Sequence, residues 1–123
     1  MAKELTMKVQ VVDGVPEVTP ATVFETLKDM QAAEGGREAV RLIDVRTAEE
    51  FGGELGHIEG AELVTLGPEL QRWIDEGDRS QTVVFICRVG GRSAQATMYA
   101  QAQGYTRAMN LQGGMMRWRG EGL

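Results

Sequence analysis

Val83-Val84-Phe85-Ile86-Cys87-Arg88-Val89-Gly90-Gly91-Arg92-Ser93 is the stretch on which the fold turns. Thr82–Ile86 is apolar without polar alternation. That pattern suits a short parallel strand covered on both faces. Cys87–Gly91 breaks the run as a loop, and the alanine-rich Ser93–Gln103 reads as a helix stopped by Gly104. The order is strand, loop, helix, with the chain's single cysteine at the strand's carboxyl end. Open α/β sheets bind ligands at such ends.

The same alternation extends outward. Downstream, Ala108–Leu111 reads as a last strand, followed by Gln112, a Gly113-Gly114 break and a C-terminal helix carrying Met115, Met116 and Trp118. Upstream, Thr19 as N-cap and Pro20 at the first helical position start a helix with Val23, Phe24, Leu27 and Met30 on one face. Gly35-Gly36 ends it. Val40–Val45 is a strand, and Thr47–Glu50 is a capping box that opens a short helix. Gly52, Gly53, Gly56 and Gly60 mark a loop, Leu63-Val64 a short strand, and Pro68 a helix with Leu70, Trp73 and Ile74 as its apolar face. Asp75–Asp78 is a turn; Lys8–Val12 is a candidate edge strand before a Gly14–Pro16 turn. Strands alternating with helices predict an α/β fold, a mostly parallel central sheet with helices on both faces. Residues 1–17 form an N-terminal extension and 18–123 a single domain.

Composition bounds the function. At 123 residues and 42% hydrophobic, the chain supports one buried core. Its longest apolar run, Val83–Cys87, is far short of a membrane span, and MAKELTMKVQ has no signal-peptide core. The expectation is a soluble, cytoplasmic protein without a membrane partner. One cysteine excludes an internal disulfide and a resolving cysteine in the same chain. One histidine besides argues against a Cys/His zinc site, so neither metal nor cofactor is expected. Residues 1–86 hold 8 basic and 17 acidic side chains. Residues 87–123 hold five arginines (Arg88, Arg92, Arg107, Arg117, Arg119) and only Glu121. An acidic whole argues against nucleic acid, and a basic patch opening at the cysteine points to a small anion.

The loop's parts favour one chemistry. Gly90 and Gly91 let the backbone curl so that successive amides point inward as an anion-binding nest. The following helix aims its unpaired amides at the same spot, and Arg88 and Arg92 add positive charge. Such surroundings lower a cysteine pKa from about 8.5 by roughly one or more units. Cys87 then becomes a nucleophile at neutral pH, in a cradle that holds charge developing on sulfur. Singly, each feature has an ordinary explanation: a core thiol, a turn, solvent-facing arginines. Their concurrence between Cys87 and Ser93 favours a site.

Four segments together resemble the rhodanese, or sulfurtransferase, family. Cys87–Arg92 is similar to its six-residue active-site loop C-R-x-G-x-R, and Leu42–Arg46 to its strand motif D-V-R. Gly56-His57-Ile58-Glu59-Gly60-Ala61 is similar to G-H-I-P-G-A, with Glu59 in place of proline. Gly113–Trp118 is similar to the closing G-G-x-x-x-W. The likeness runs from about Val18 to the C-terminus. It implies a rhodanese-like fold and transfer of sulfane sulfur from a small anionic donor such as thiosulfate, through a Cys87 persulfide, to a thiol, cyanide or protein acceptor. Arg88 and Arg92 would bind the donor's oxyanion end, and the amides of Val89, Gly90, Gly91, Arg92 and Ser93 would cradle the persulfide. With no second cysteine, the persulfide waits for an outside acceptor, and ping-pong kinetics are expected.

Asp44 is expected to brace loops at the same sheet end, and Arg46 to do likewise or line the mouth. His57, in a glycine-rich loop, is read as structural rather than as a general base. Trp118 is read as core, and Met98, Met109, Met115 and Met116 as packing. Two other functions stay open. A cysteine phosphatase or arsenate reductase uses Cys-x5-Arg, whereas Cys87 to Arg92 is Cys-x4-Arg, a smaller ring better matched to one sulfur than to a phosphate. A sulfur-carrier or redox-sensing module would use the thiolate without turnover.

Overall fold

The computed structural model describes residues 7–32 and 40–123. In chain order these form β1 (Gln10–Val12), β2 (Val15–Val18), α1 (Pro20–Ala32), β3 (Arg41–Asp44), α2 (Ala48–Phe51) and β4 (Glu62–Leu63). Next come α3 (Pro68–Glu76), β5 (Val83–Ile86), α4 (Gly91–Ala102), β6 (Ala108–Leu111) and α5 (Gly114–Gly120). The strands make one six-stranded sheet in the order β1-β2-β6-β5-β3-β4. Among the described residues only the β1–β2 pair is antiparallel.

β5 shows why this sequence makes a two-faced sheet. Its four residues are all buried, and it pairs in parallel with β3 on one side and β6 on the other. Val84 and Ile86 join a core with Val23 and Met30 of α1 and Met115 and Trp118 of α5. Val83, Phe85 and Cys87 join a second core with Leu70 and Ile74 of α3 and Ala96 and Ala100 of α4. Each large apolar side chain, fully buried, contributes about 1.5–3 kcal/mol. An unbroken apolar run is what two cores demand of a central strand. Among the described residues no helix is long and apolar enough to cross a membrane.

The topology creates a crevice. From β3 the chain moves outward to β4, then returns to the other side of β3 as β5. Strand order therefore reverses between β3 and β5, where α/β sheets open a ligand site at their carboxyl ends. The register places Asp44 beside Ile86, and Val45 N–H donates to Ile86 O at 2.9 Å. The segments after Asp44 and after Ile86 thus leave the sheet side by side.

Several boundaries differ from the sequence expectation. The turn is Asp13-Gly14 (φ 51° and 80°), not Gly14–Pro16, and Val12 faces Val15 across it. Two consecutive positive φ values make the two-residue hairpin turn that Asp-Gly favours. Val15–Val18 is consequently a strand, parallel to β6, so residues 10–18 belong to the sheet. Pro16 fits because pairing with β6 starts only at Glu17. β3 is Arg41–Asp44 rather than Val40–Val45, β4 is Glu62–Leu63 rather than Leu63-Val64, and α3 continues through Asp75 and Glu76. α1 starts at Pro20 as expected, with Thr19 Oγ1 accepting from Thr22 N–H at 3.2 Å. Its expected end at Gly35-Gly36 lies outside the described residues. Phe24 is more than a third exposed although it lies on the expected apolar face, and Met98 and Met116 are exposed rather than packed.

Candidate active site

β5 holds the backbone of Cys87 at the sheet's carboxyl edge, and α5 shapes the loop beyond it. Met115 N–H donates to Cys87 O and Met116 N–H to Arg88 O, both at 2.9 Å. The Gly113-Gly114 pair (φ 77° and 57°) permits that approach. A Cβ on Gly114 would lie 2.5 Å from both carbonyl oxygens. With the loop's first carbonyls engaged by α5, its later amides turn to the other side, toward the sulfur. Gly90, at φ 112°, completes the curl and caps α4.

Gly90 N–H donates to Cys87 Sγ at 3.0 Å, and Ser93 Oγ lies 3.1 Å from the same sulfur. Burial pushes the thiol pKa up. Hydrogen bonds from the Ser93 hydroxyl and from the amides of Ser93, Gly90 and Val89 outweigh it and hold the pKa below the ordinary thiol value. Sulfur is the one atom on which these donors converge. Gly91 plays a smaller part than the sequence implied. It lies in the first turn of α4 without a positive φ, and a Cβ there would meet nothing within 4 Å. Arg92 likewise belongs to α4 rather than to the loop.

Arg88 and Arg92 have different surroundings. Arg92 Nη1 and Nη2 donate to Glu50 Oε1 and Oε2 at 2.7 and 2.8 Å, a bidentate pair. Arg92 holds the Glu50 carboxyl down to about 2, against opposition from burial and with help from Thr47. Glu50 also completes the expected capping box: Glu50 N–H donates to Thr47 Oγ1, and Thr47 N–H to Glu50 Oε1, both at 3.2 Å. α2 is thereby tied to the start of α4. Arg88 is exposed, and its side chain makes no hydrogen bond or ion pair among the described residues. Val89, 64% exposed, stands beside it.

Asp44 and Arg46 form a wholly buried ion pair, Nε to Oδ1 at 2.9 Å and Nη2 to Oδ2 at 2.7 Å. Arg46 also donates to Glu50 O and Gly56 O, and its own carbonyl accepts from Thr65 Oγ1. It braces α2, the glycine loop and the segment after β4, and does not line the mouth. His57 stacks on Phe51, with ring centroids 3.7 Å apart, and its Nδ1 lies 2.9 Å from Phe51 O. No hydrogen bond joins it to the Cys87 loop among the described residues. Trp118 is core, edge-on to Phe24. Among the described residues no group of three or more His, Cys, Asp or Glu is placed to hold a metal ion.

Sequence reasoning missed three participants. Glu50 is 42 residues from Arg92, and nothing in the sequence pairs them. Asn110 and Glu17, 93 residues apart, hydrogen-bond behind Ser93. A lone amide inside the strand Ala-Met-Asn-Leu was the available signal for Asn110.

A family model for the rhodanese-like domain matches residues 24–121. A putative sulfurtransferase of Bacillus subtilis, YtwF, is 38% identical over 84 residues, covering 68% of this chain and 78% of the relative. A sulfurtransferase of Allochromatium vinosum is 38% identical over 86 residues, covering 70% and 78%. The human single-domain sulfurtransferase TSTD1 superposes with a TM-score of 0.67 at 29% identity, over 88% of this chain and 98% of that one. These relatives support a general role in sulfur transfer. With the motif-bearing loop, its mostly parallel sheet and a match across most of its length, the chain belongs to the rhodanese-like domain family.

Proposed function

We propose that this protein carries sulfane sulfur on Cys87, taking it from a small anionic donor such as thiosulfate and delivering it to a thiol, cyanide or protein acceptor. The Cys87 thiolate attacks the donor's outer sulfur. A bond forms between Sγ and that sulfur, the donor's S–S bond breaks, and its electron pair leaves on sulfite. The acceptor then attacks the outer sulfur of the persulfide, and Sγ departs as thiolate. No net oxidant or reductant is needed.

The observation that carries this reading is the convergence of the Gly90 amide and the Ser93 hydroxyl on one sulfur. It supports an ionised nucleophile and a cradle for its adduct. Arg88, without a partner among the described residues, serves the donor's oxyanion end. Arg92, engaged by Glu50, chiefly holds the loop and supplies field rather than a free binding fork.

Intact-protein mass spectrometry after thiosulfate treatment tests the proposal. The expected result is a gain of one sulfur atom, lost in Cys87→Ser and discharged by cyanide with release of thiocyanate. A protein that gains no sulfur from thiosulfate, polysulfide or a persulfide would not be a sulfurtransferase of this kind. Turnover of an aryl phosphate instead would favour the phosphatase reading.

A further inference from the structure

Ser93 Oγ stands between two acceptors. Cys87 Sγ is 3.1 Å away and Asn110 Oδ1 is 2.5 Å away. A hydroxyl has one proton to donate. The Asn110 amide is not free to turn over, because its Nδ2 donates to Glu17 Oε2 at 2.9 Å and to Gly90 O at 3.2 Å. Both of those atoms are acceptors, so the amide nitrogen faces them and the amide oxygen faces Ser93. Glu17 is itself fixed by Gln112 Nε2, and Gln112 Oε1 by Arg117 Nη1. Ser93 and Asn110 are 0% and 1% exposed, where a misdirected hydrogen bond is most costly.

We propose that Asn110, held by Glu17, is a positioning residue that competes with the Cys87 sulfur for the Ser93 proton. When the sulfur is protonated, S–H donates to Ser93 Oγ and Ser93 donates to Asn110, and every group is satisfied. When it is a thiolate, Ser93 turns to the sulfur and Asn110 Oδ1 is left facing an oxygen lone pair. When the second sulfur is attached, Sγ becomes a neutral divalent sulfur, a weak acceptor, and the hydroxyl returns to Asn110. Asn110 thus disfavours the bare thiolate relative to the states on either side of it. A thiolate whose hydrogen bond from Ser93 is gained only at the expense of Asn110 has a higher pKa and is the stronger nucleophile, since nucleophilicity falls as thiol pKa falls. The inference rests on Cys87 being the sulfur carrier and adds the element that sets its reactivity.

Charged groups around the sulfur come from every neighbouring element. They are Arg92 of α4 with Glu50 of α2, the Asp44–Arg46 pair at the end of β3, Arg88 of the loop, Glu17 of β2 behind Asn110, and Arg117 of α5 through Gln112. Asn110→Ala keeps every one of these charges and takes from Glu17 only the amide it accepts from. The test is the rate of Cys87 alkylation by iodoacetamide against pH, on the full chain, for wild type, Asn110→Ala, Ser93→Ala and the double variant. Asn110→Ala is expected to lower the midpoint by about one pH unit, about tenfold more thiolate on the acid limb. Its plateau rate should be below that of wild type. Ser93→Ala should raise the midpoint, and the double variant should behave as Ser93→Ala alone. Glu17→Gln, a milder change on a half-buried residue, guards against an Asn110 variant that does not fold. It should move the midpoint the same way by less, and less again without Ser93. An unmoved or raised midpoint in Asn110→Ala or Glu17→Gln, or a shift undiminished in the Ser93→Ala background, overturns the inference. A wild-type Cys87 that alkylates like a free thiol refutes the sulfur-transfer reading instead.

Discussion

Replacing Gly114 by alanine tests whether the C-terminal helix builds the nucleophile's loop. The added Cβ would lie 2.5 Å from the carbonyl oxygens of Cys87 and Arg88 and 2.6 Å from the Arg88 carbonyl carbon. All three are main-chain atoms, so no side chain can rotate away. Relief requires the loop and the start of α5 to part by at least about 0.5 Å before the contact reaches the tolerable range. Parting them weakens the two 2.9 Å hydrogen bonds from Met115 and Met116 to those same oxygens. A left-handed φ of 57° adds its own penalty for a residue with a side chain. Left-handed backbone costs about 1–2 kcal/mol, a forced contact about 1–3 and each of the two weakened hydrogen bonds up to about 1, together about 2–7 kcal/mol. The amides facing Sγ are continuous with those carbonyls, so the thiol pKa should climb back toward its ordinary range. Urea unfolding and the pH dependence of Cys87 alkylation measure the two effects on one sample. A Gly114→Ala protein within about 0.5 kcal/mol of wild type, the scale of an innocuous surface substitution, with unchanged alkylation would refute the reasoning.

Gly91, in the first turn of α4, predicts the opposite. Gly91→Ala, with open space at its Cβ and no positive φ, should stabilise the protein by up to about 1 kcal/mol and leave alkylation untouched; a loss of stability would count against the helical placement of Gly91. Glu50→Gln preserves the capping-box geometry but removes the charge paired with Arg92. Glu50 is lowered from 4.5 to about 2, so its contribution is present in full above about pH 4.5 and lost as pH falls toward 2. With the pair 36% and 28% exposed, solvent screening reduces that contribution to about 1 kcal/mol. Urea titrations should show the gap between wild type and variant at pH 7 and its closure by about pH 2–3; a gap that persists in acid would assign it to something other than the carboxylate. Arg88→Ala should reduce kcat/KM for thiosulfate about tenfold, the worth of one charge-assisted hydrogen bond, and spare a neutral trisulfide donor. Equal losses for both donors would contradict an oxyanion-binding role.

What was legible in the sequence is what lies contiguous along it. Cysteine, glycine and helix start between Cys87 and Ser93 act through backbone geometry that one short segment controls, so reading that segment finds the sulfur toward which the Gly90 amide and the Ser93 hydroxyl point. The apolar run Val83–Ile86 likewise states its own two-sided burial. Partnerships across the fold carry no such mark. Glu50 looked like a capping residue, which it is, and its grip on Arg92 exists only because β3 and β5 lie side by side. Glycine identity is ambiguous for the same reason. Gly91 and Gly114 read alike, yet only the second has a carbonyl where its side chain would be. The β1–β2 hairpin is a different case, because its signal was present. Asp13-Gly14 between valines specifies a two-residue turn, and Pro16 drew the turn two residues too far. Placing β2 brings Glu17 to Asn110, so that one misplaced turn also hid the network behind the sulfur.

Cys87 shows why burial alone does not separate a structural thiol from a reactive one. It is 1% exposed and packs in the same core as Ile43, Val45 and Phe85, the surroundings of an inert cysteine. Desolvation there favours the neutral thiol, and it is the largest single influence on this sulfur. What reverses the balance is direction. The neighbours on one side are hydrocarbon, and those on the other are a hydroxyl and the amides of Val89, Gly90 and Ser93. The same low-dielectric surroundings that penalise an unpaired charge strengthen each hydrogen bond made to a paired one. Burial therefore amplifies whichever arrangement the loop imposes. A loop opened by a misplaced α5 would leave the hydrocarbon in place and let the thiol pKa rise toward that of an ordinary core thiol, without moving Cys87 itself.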